Sequence, residues 1–301
     1  MNPDVSAQLG AIRLKNPLIC ASSEFTMTEQ GIRAALDAGA SAVVAKSVNE
    51  SPQAARQLDT AEYVLLDEGW NLVPWNSGHT RNASLFCRSG MAQTLLPEWI
   101  DMLAKLDAYA RTQDAYVVGS ITVAGADAAA DIAAQMDGAG LRWIELNLSA
   151  PHGREAGSNV IRQVVESSVA AEYVRGVRAR VRGTLAVKLS SQADLLATAK
   201  AVVEAGADIV VLTGRSLAFM PDIETLRPVL GSWGAIGGGW ALPASLYWIS
   251  KCWRDLPHDV PMIGTNGIRN SDDAVRCLLS GARAVEIASL VLTEGPSVFT
   301  E

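Results

Sequence analysis

Residues 193–212 read ADLLATAKAVVEAGADIVVL. The first twelve, Ala193–Glu204, have the spacing of an amphipathic helix. Ala205-Gly206-Ala207 then stops it, because glycine takes the left-handed cap conformation without steric cost. Ile209–Leu212 follows at once as a short apolar strand. Three other places repeat the phrase. Helix Thr28–Asp37 ends at Ala38-Gly39-Ala40 before Ala42–Lys46, and helix Asp127–Met136 ends at Gly138-Ala139-Gly140 before Trp143–Asn147. Helix Asp272–Leu279 ends at Ser280-Gly281-Ala282 before Ala284–Ala288, with Val275, Leu278 and Leu279 as its apolar face.

Working outward, eight strands are expected: Leu18–Ser22, Ala42–Lys46, Tyr116–Ile121, Trp143–Asn147, Leu185–Leu189, Ile209–Leu212, Pro261–Gly264 and Ala284–Ala288. Most are continuous apolar runs, as in parallel strands covered on both faces. Eight such strands alternating with helices predict an α/β fold, a (β/α)8 TIM barrel, forming one domain over residues 1–301. Two long connections, 48–115 and 213–260, exceed ordinary loops and are expected to hold subsidiary structure over the catalytic face. The first reads as a lid-like insert and contains Trp70, Trp75, His79 and Arg88.

The composition fits this reading. The chain has 301 residues, 49% hydrophobic and 19% charged, enough for one large core. A net charge of −7 argues against a nucleic-acid surface. No run approaches the roughly 18 apolar residues of a membrane span. Met1 to Gly10 lack the basic start and apolar core of a signal peptide, so the expectation is a cytoplasmic protein. The four cysteines, at 20, 87, 252 and 277, form no C-x-x-C pair. Reduced thiols are expected, and no metal or iron–sulfur site within the chain.

Each strand ends on polar or small residues: Ser22, Lys46-Ser47, Ser120, Asn147, Lys188, Thr213-Gly214, Thr265-Asn266-Gly267 and Ala288-Ser289. In barrels of this kind the site lies at these ends. Lys46 and Lys188 would draw an anionic or electron-rich ligand. Gly264–Ile268, Ala288-Ser289 and the triplet Gly237-Gly238-Gly239 suit a phosphate cradle near strands seven and eight. Flavin mononucleotide and a sugar phosphate both satisfy this pattern.

Six ordered blocks then carry a family resemblance. They are Lys15–Leu18 with Ala21-Ser22, Ala45-Lys46-Ser47, Glu145–Gly153 (ELNLSAPHG), Val187-Lys188-Leu189, Ile236-Gly237-Gly238 and Ile263–Ile268. Together they resemble the dihydroorotate dehydrogenase family, especially its soluble class, and the flavin barrel of dihydropyrimidine dehydrogenase. The likeness covers residue 12 to about residue 295. It implies an FMN-dependent oxidoreductase acting on a CH–CH group, with hydride passing between flavin N5 and a substrate ring carbon. It implies FMN contacts from Ala21, Ser22, Lys46, Ser47, Asn147, Lys188 and Thr213. Phosphate contacts would come from Gly238, Asn266, Gly267, Ala288 and Ser289, with Gly239 and Thr265 as further cofactor-binding residues. It also implies a homodimer, and an electron-transfer partner or nicotinamide nucleotide beside the small-molecule substrate.

The match departs where the substrate would react. The family's acid/base Cys or Ser is replaced by Ala150, whose methyl group moves no proton. Thr213-Gly214-Arg215-Ser216 stands where a pyrimidine-binding Asn is usual, and the segment from Asn82 to Gly90 fits the family's substrate loop poorly. Asn266 and Ala288 replace phosphate-loop glycines. An introduced change at Ala150, a different acid/base residue, and chemistry without proton transfer all remain open. Altered residues at three substrate-facing places favour a natural protein with a non-pyrimidine substrate. His152 and Cys87 are the replacement acid/base candidates. Asn147, Ser149, Arg215 and Arg88 are the substrate candidates, the arginines as carboxylate clamps. A barrel that binds flavin or a phosphorylated ligand without dehydrogenase activity is the rival reading.

Overall fold

The computed structural model describes residues 4–49, 62–75, 80–122, 125–149, 166–191 and 194–300. Eight parallel strands close a barrel in chain order. They are β1 (Leu18–Cys20), β2 (Ala42–Val44), β3 (Tyr116–Thr122), β4 (Trp143–Asn147), β5 (Thr184–Lys188), β6 (Ile209–Leu212), β7 (Met262–Thr265) and β8 (Ala284–Ile287). A helix follows each: α1 (Glu29–Asp37), α2 (Leu96–Arg111), α3 (Ala126–Gly138), α4 (Ser167–Arg178), α5 (Leu195–Glu204), α6 (Leu242–Asp255), α7 (Ser271–Leu279) and α8 (Ser289–Glu294). The expected (β/α)8 barrel is therefore present, with all eight strands within two residues of their expected ends. The cap glycines of the repeated phrase, Gly39, Gly140, Gly206 and Gly281, all have positive φ. That conformation costs other L-residues about 1–2 kcal/mol.

Side chains alternate across each strand. Val43, Val117, Ile144, Val187, Val210 and Val285 pack outward with the helices. Ile19, Val44, Val118, Trp143, Ala186, Val211, Ile263 and Ala284 fill the interior. An antiparallel hairpin, Ala7–Leu9 paired with Ile12–Leu14, adds Leu9, Ile12 and Leu14 to the interior cluster. Two residues further along β2 to β8, the interior stripe turns polar. Trp143 gives way to Glu145, Ala186 to Lys188, and Ala284 to Glu286, all buried. This switch from apolar filling to charge is what builds the site.

The face of α7 differs from expectation. Val275 and Leu279 are exposed, and the buried residues are Asp273, Ala274 and Cys277. The reason is close approach to β7. A methyl group on Gly264 would lie 3.2 Å from Cys277 Cβ, leaving room for small side chains and none for Leu.

The two long connections do not form separate lids. Strands Glu62–Leu66, Leu72–Val73 and Ser84–Arg88 from the first join Ser216–Ala218 and Gly234–Gly237 from the second in one five-stranded antiparallel sheet. The seam pairs Ala235 with Cys87 and Ile236 with Phe86. Phe86, Leu66, Leu230 and Ile236 bury an apolar layer on this sheet.

Candidate active site

A concave site opens at the C-terminal strand ends, with about 1130 Å³ of empty space that includes open solvent. Its lining includes Ala21, Ser22, Lys46, Ser47, Asn147, Lys188, Thr213, Thr265 and Glu286 from the barrel, and Tyr63, Ser89, Gly90 and Arg215 from the joint sheet and its flanks.

At the floor, Lys188 Nζ lies 3.2 Å from Glu145 Oε2 and also donates to Glu286 Oε2. Burial alone would depress the lysine pKa. The two carboxyl groups outweigh it and hold the pKa above the ordinary lysine value. Burial, then the neighbouring Glu145, pushes Glu286 up to about 8 despite Lys188. Hydroxyls extend the cluster sideways. Ser120 Oγ donates to Glu145 Oε1 at 3.4 Å, Ser47 Oγ lies 2.8 Å from Ser120 Oγ, and Ser22 Oγ lies 3.5 Å from Ser47 Oγ.

A second charged group sits on the lid side. Lys46 Nζ donates to Glu24 Oε1 at 2.8 Å, the Gly90 amide donates to the same oxygen at 2.8 Å, and the Tyr63 hydroxyl donates to Glu24 Oε2. Burial lowers the Lys46 pKa, with Glu24 opposing and Arg215 adding to the fall. Arg215 Nη2 donates to Ser89 Oγ at 2.8 Å, and Nη1 contacts Cys87 Sγ. Glu24 therefore pairs with one cation and accepts two further hydrogen bonds, whereas at the floor Lys188 faces two carboxyl groups. The cavity is polarised between its walls.

Asn147 Oδ1 accepts from the Ser149 amide at 3.0 Å and from Ser149 Oγ at 2.7 Å, which fixes the start of the loop after β4. A methyl group on Gly214 would lie 2.6 Å from Ser149 Oγ, so the loops after β4 and β6 touch through a residue without a side chain.

Beside the main cavity, a smaller concavity that shares Gly267 and Ser289 with it is lined by Gly238, Gly239 and Arg269. Gly267 has φ +102°, and a Cβ there would lie 2.5 Å from the Leu242 amide nitrogen. Gly238 leaves room for Ser84, and Gly239 for the side chain of Arg269. Of the two residues that replace glycine, Asn266 has φ 69°, a region Asn tolerates best after Gly. Ala288 has φ −114° and needs no glycine.

The family model for dihydroorotate dehydrogenase matches residues 5–301. The chain belongs to the dihydroorotate dehydrogenase family. Its curated relatives include the catalytic subunit of dihydroorotate dehydrogenase B (NAD(+)) from Archaeoglobus fulgidus, 30% identical over 97% of this chain and 89% of that one. The corresponding subunit from Thermoplasma acidophilum is 27% identical over 98% and 90%, and that from Desulforudis audaxviator 28% over 96% and 87%. The chain is thus an oxidoreductase of the dihydroorotate dehydrogenase kind, which disfavours a barrel that only binds a ligand. Among the described residues, no helix is long and apolar enough to cross a membrane.

Within this dihydroorotate dehydrogenase barrel, most residues singled out in the sequence converge. Ala21, Ser22, Lys46, Ser47, Asn147, Ser149, Lys188, Thr213, Arg215, Thr265, Asn266, Gly267, Ala288 and Ser289 line the main cavity. Gly238 and Gly239 line the smaller concavity. Two do not join them. Arg88 lies at the far side of its strand, with Nη1 3.6 Å from Glu62 Oε2. Cys87 is fully buried behind Arg215, and burial raises its thiol pKa. Trp70 and Trp75 are exposed and away from the cavity lining. Ala150, His152 and His79 lie outside the described residues.

Sequence reading missed Glu24, Tyr63, Ser89, Arg269 and Glu286. Glu286 was recoverable, since period-two alternation from Ala284 turns it inward. Tyr63 and Ser89 carried no such signal, because their place depends on pairing between distant insertions.

Proposed function

We propose that this chain is an FMN-dependent dehydrogenase whose substrate is a small unsaturated or heterocyclic molecule bearing a carboxylate, distinct from orotate. The observation that carries the proposal is the adjacency of two concavities, one with the Lys188 floor and a smaller one lined by Gly238 and Gly239, which share Gly267 and Ser289. A flat ring system and a phosphate on a polyol tail suit those two concavities. Gly238 and Gly267 have no room for a Cβ against Ser84 and Leu242, so the main chain is packed tightly behind this end of the site. In this reading Gly238, Gly239, Gly267 and Ser289 bind the phosphate through main-chain N–H groups. Arg269 adds positive charge nearby. Ala21, Ser22, Ser47, Asn147, Lys188 and Thr213 surround the ring. When bound, FMN supplies a two-electron centre.

The remaining chemistry belongs to the chain's own residues. Arg215, braced by Ser89, presents a planar guanidinium to the cavity and orients a carboxylate in a bidentate manner. Lys46 adds a second positive charge on the same side. Asn147 orients the reacting ring from the β4 edge. With Ala150 at the family's acid/base position, proton transfer passes to Tyr63, whose hydroxyl donates to Glu24 and which lines the cavity.

Two partner assignments complete the reading. The relatives' names, catalytic subunits of an NAD(+) enzyme, support electron delivery to a nicotinamide nucleotide through another subunit. An apolar outer face on the second insertion supports assembly, and we assign it to a homodimer. Leu217, Phe219 and Trp233 are exposed there, with the Phe219 and Trp233 rings 6.2 Å apart.

The deciding experiment is purification with and without added FMN, followed by anaerobic bleaching with pyrimidines, carboxylated alkenes and nicotinamide nucleotides. A yellow protein bleached by a carboxylated substrate supports the reading. A colourless protein that takes up no FMN refutes it.

A further inference from the structure

Glu286 has no part in the function proposed above, although it lines the same cavity and is buried to 2% exposure. Its surroundings are unbalanced. Lys188 on β5 bonds to Glu286 and lies 3.2 Å from Glu145 on β4. Two carboxyl groups therefore share one ammonium. With every group charged, the trio would carry an excess negative charge inside the barrel, where solvation does not compensate it. A proton shared into the cluster removes that excess. Apart from its 3.2 Å ion pair with Lys188, Glu145 Oε2 accepts no well-aligned hydrogen bond, so the trio is not saturated with donors.

Among the described residues, the neighbouring strands supply no second cation to Glu286. β7 presents Thr265, whose hydroxyl donates at 3.0 Å to the Glu286 carbonyl and not to its carboxyl group. β1 presents Cys20, whose thiol burial holds in its protonated form, with Glu286 adding to that effect. From β3, Ser120 donates to Glu145. The titratable groups facing Glu286 are thus Lys188, Glu145 and Cys20.

We propose that Glu286 is a positioning residue that takes up a proton when the bound flavin is reduced, coupling the flavin's potential to pH beyond the flavin's own proton. This inference rests on FMN binding with its ring at Lys188. With FMN bound in that way, uptake of two electrons and one proton by the cofactor would leave a negative charge near Lys188. That charge competes for the ammonium, and a second proton moves from water onto a Glu286 carboxylate oxygen. The balance is two electrons and two protons, with the reductant supplying the electrons. Because burial and Glu145 already raise Glu286 to about 8, the second proton is taken up above about that pH. Lys188 then remains charged on both sides of the reaction.

The test is a spectroscopic redox titration of the FMN-loaded full chain from about pH 7 to about pH 10. One proton per two electrons gives a fall of about 30 mV per pH unit, and two protons give about 59 mV. We expect the steeper slope above about pH 8 in the wild type and the shallower slope throughout in Glu286→Gln. In Glu145→Gln the steep region moves to lower pH. A wild-type slope of about 30 mV across the range overturns the proposal, as does a steep slope that survives Glu286→Gln. If that variant does not fold, infrared difference spectra of the wild type on reduction decide it. A protonated carboxyl band gained at alkaline pH supports the assignment, and its absence refutes it. Failure to bind FMN is a different result, seen as colourless protein before any titration, and it overturns the function proposed above together with this inference.

Discussion

Arg215 donates to the Ser89 hydroxyl at 2.8 Å, and the two residues come from different insertions. The first insertion thereby braces the cation that the second one offers to the cavity. Charge alone does not reproduce this arrangement, because the fork of the guanidinium is what reaches Ser89 and Cys87 together. Arg215→Lys is therefore expected to raise the KM for a carboxylated substrate by about 10- to 100-fold, equivalent to one charge-assisted bond of about 1.5–3 kcal/mol. Steady-state kinetics on the substrate found by the bleaching screen check it. An unchanged KM removes Arg215 from substrate binding.

Proton transfer gives a second expectation. Tyr63→Phe keeps the ring and removes the hydroxyl, so the rate of substrate-driven bleaching should fall by about 10²- to 10⁴-fold. FMN content should stay the same. Stopped-flow absorbance separates the two.

Position 150 offers a third. Dihydroorotate should not bleach the wild-type flavin at a useful rate, and Ala150→Cys should give no recovery. The residues Thr213-Gly214-Arg215 also depart from the pyrimidine pattern, so one thiol does not restore the site. Rapid bleaching in the variant would show instead that only the acid/base group is missing.

The pH dependence of stability follows from Glu286. Its folded pKa is raised from 4.5 to about 8, so between these values the folded state binds more protons than the unfolded one. Stability is then fully present below about pH 4.5 and falls as pH rises toward about 8, by at most about 1.4 kcal/mol per pH unit. Urea midpoints of the FMN-free protein at several pH values should show this fall, and Glu286→Gln should flatten it.

A pair of glycines separates cradle from cap. Gly206→Ala places a methyl group at φ +107° and against Arg178, a cost of about 1–2 kcal/mol with FMN affinity kept. Gly267→Ala meets the Leu242 backbone at the cavity end, so it should lower both thermal stability and FMN retention. Melting curves and bound-flavin absorbance report the two effects.

Legibility in the sequence tracked the range of the interactions. The barrel was readable because each helix–glycine–strand phrase is local, and Gly206 announces its turn within three residues. The cavity-lining residues were readable because they end strands, as Asn147 and Lys188 do, or follow one closely, as Lys46 does. Arg88 and Cys87 were misplaced because strand alternation and burial were not readable in a connection whose pairing was unknown. The face of α7 was misread because Gly264 admits Cys277 where hydrophobic spacing favoured Leu279.

The seam between Ala235 and Cys87 has a consequence for how this enzyme diversifies. The segments that shape the substrate side are two strips of chain separated by well over a hundred residues, yet they are zipped together by main-chain bonds. Neither strip is a module by itself. A graft of one from a relative inherits the wrong partner edge, whereas exchanging both together carries the register intact. New substrates on this scaffold are therefore reached by co-inherited pairs of insertions, and recombination that splits the pair should yield barrels that fold but have lost their ceiling.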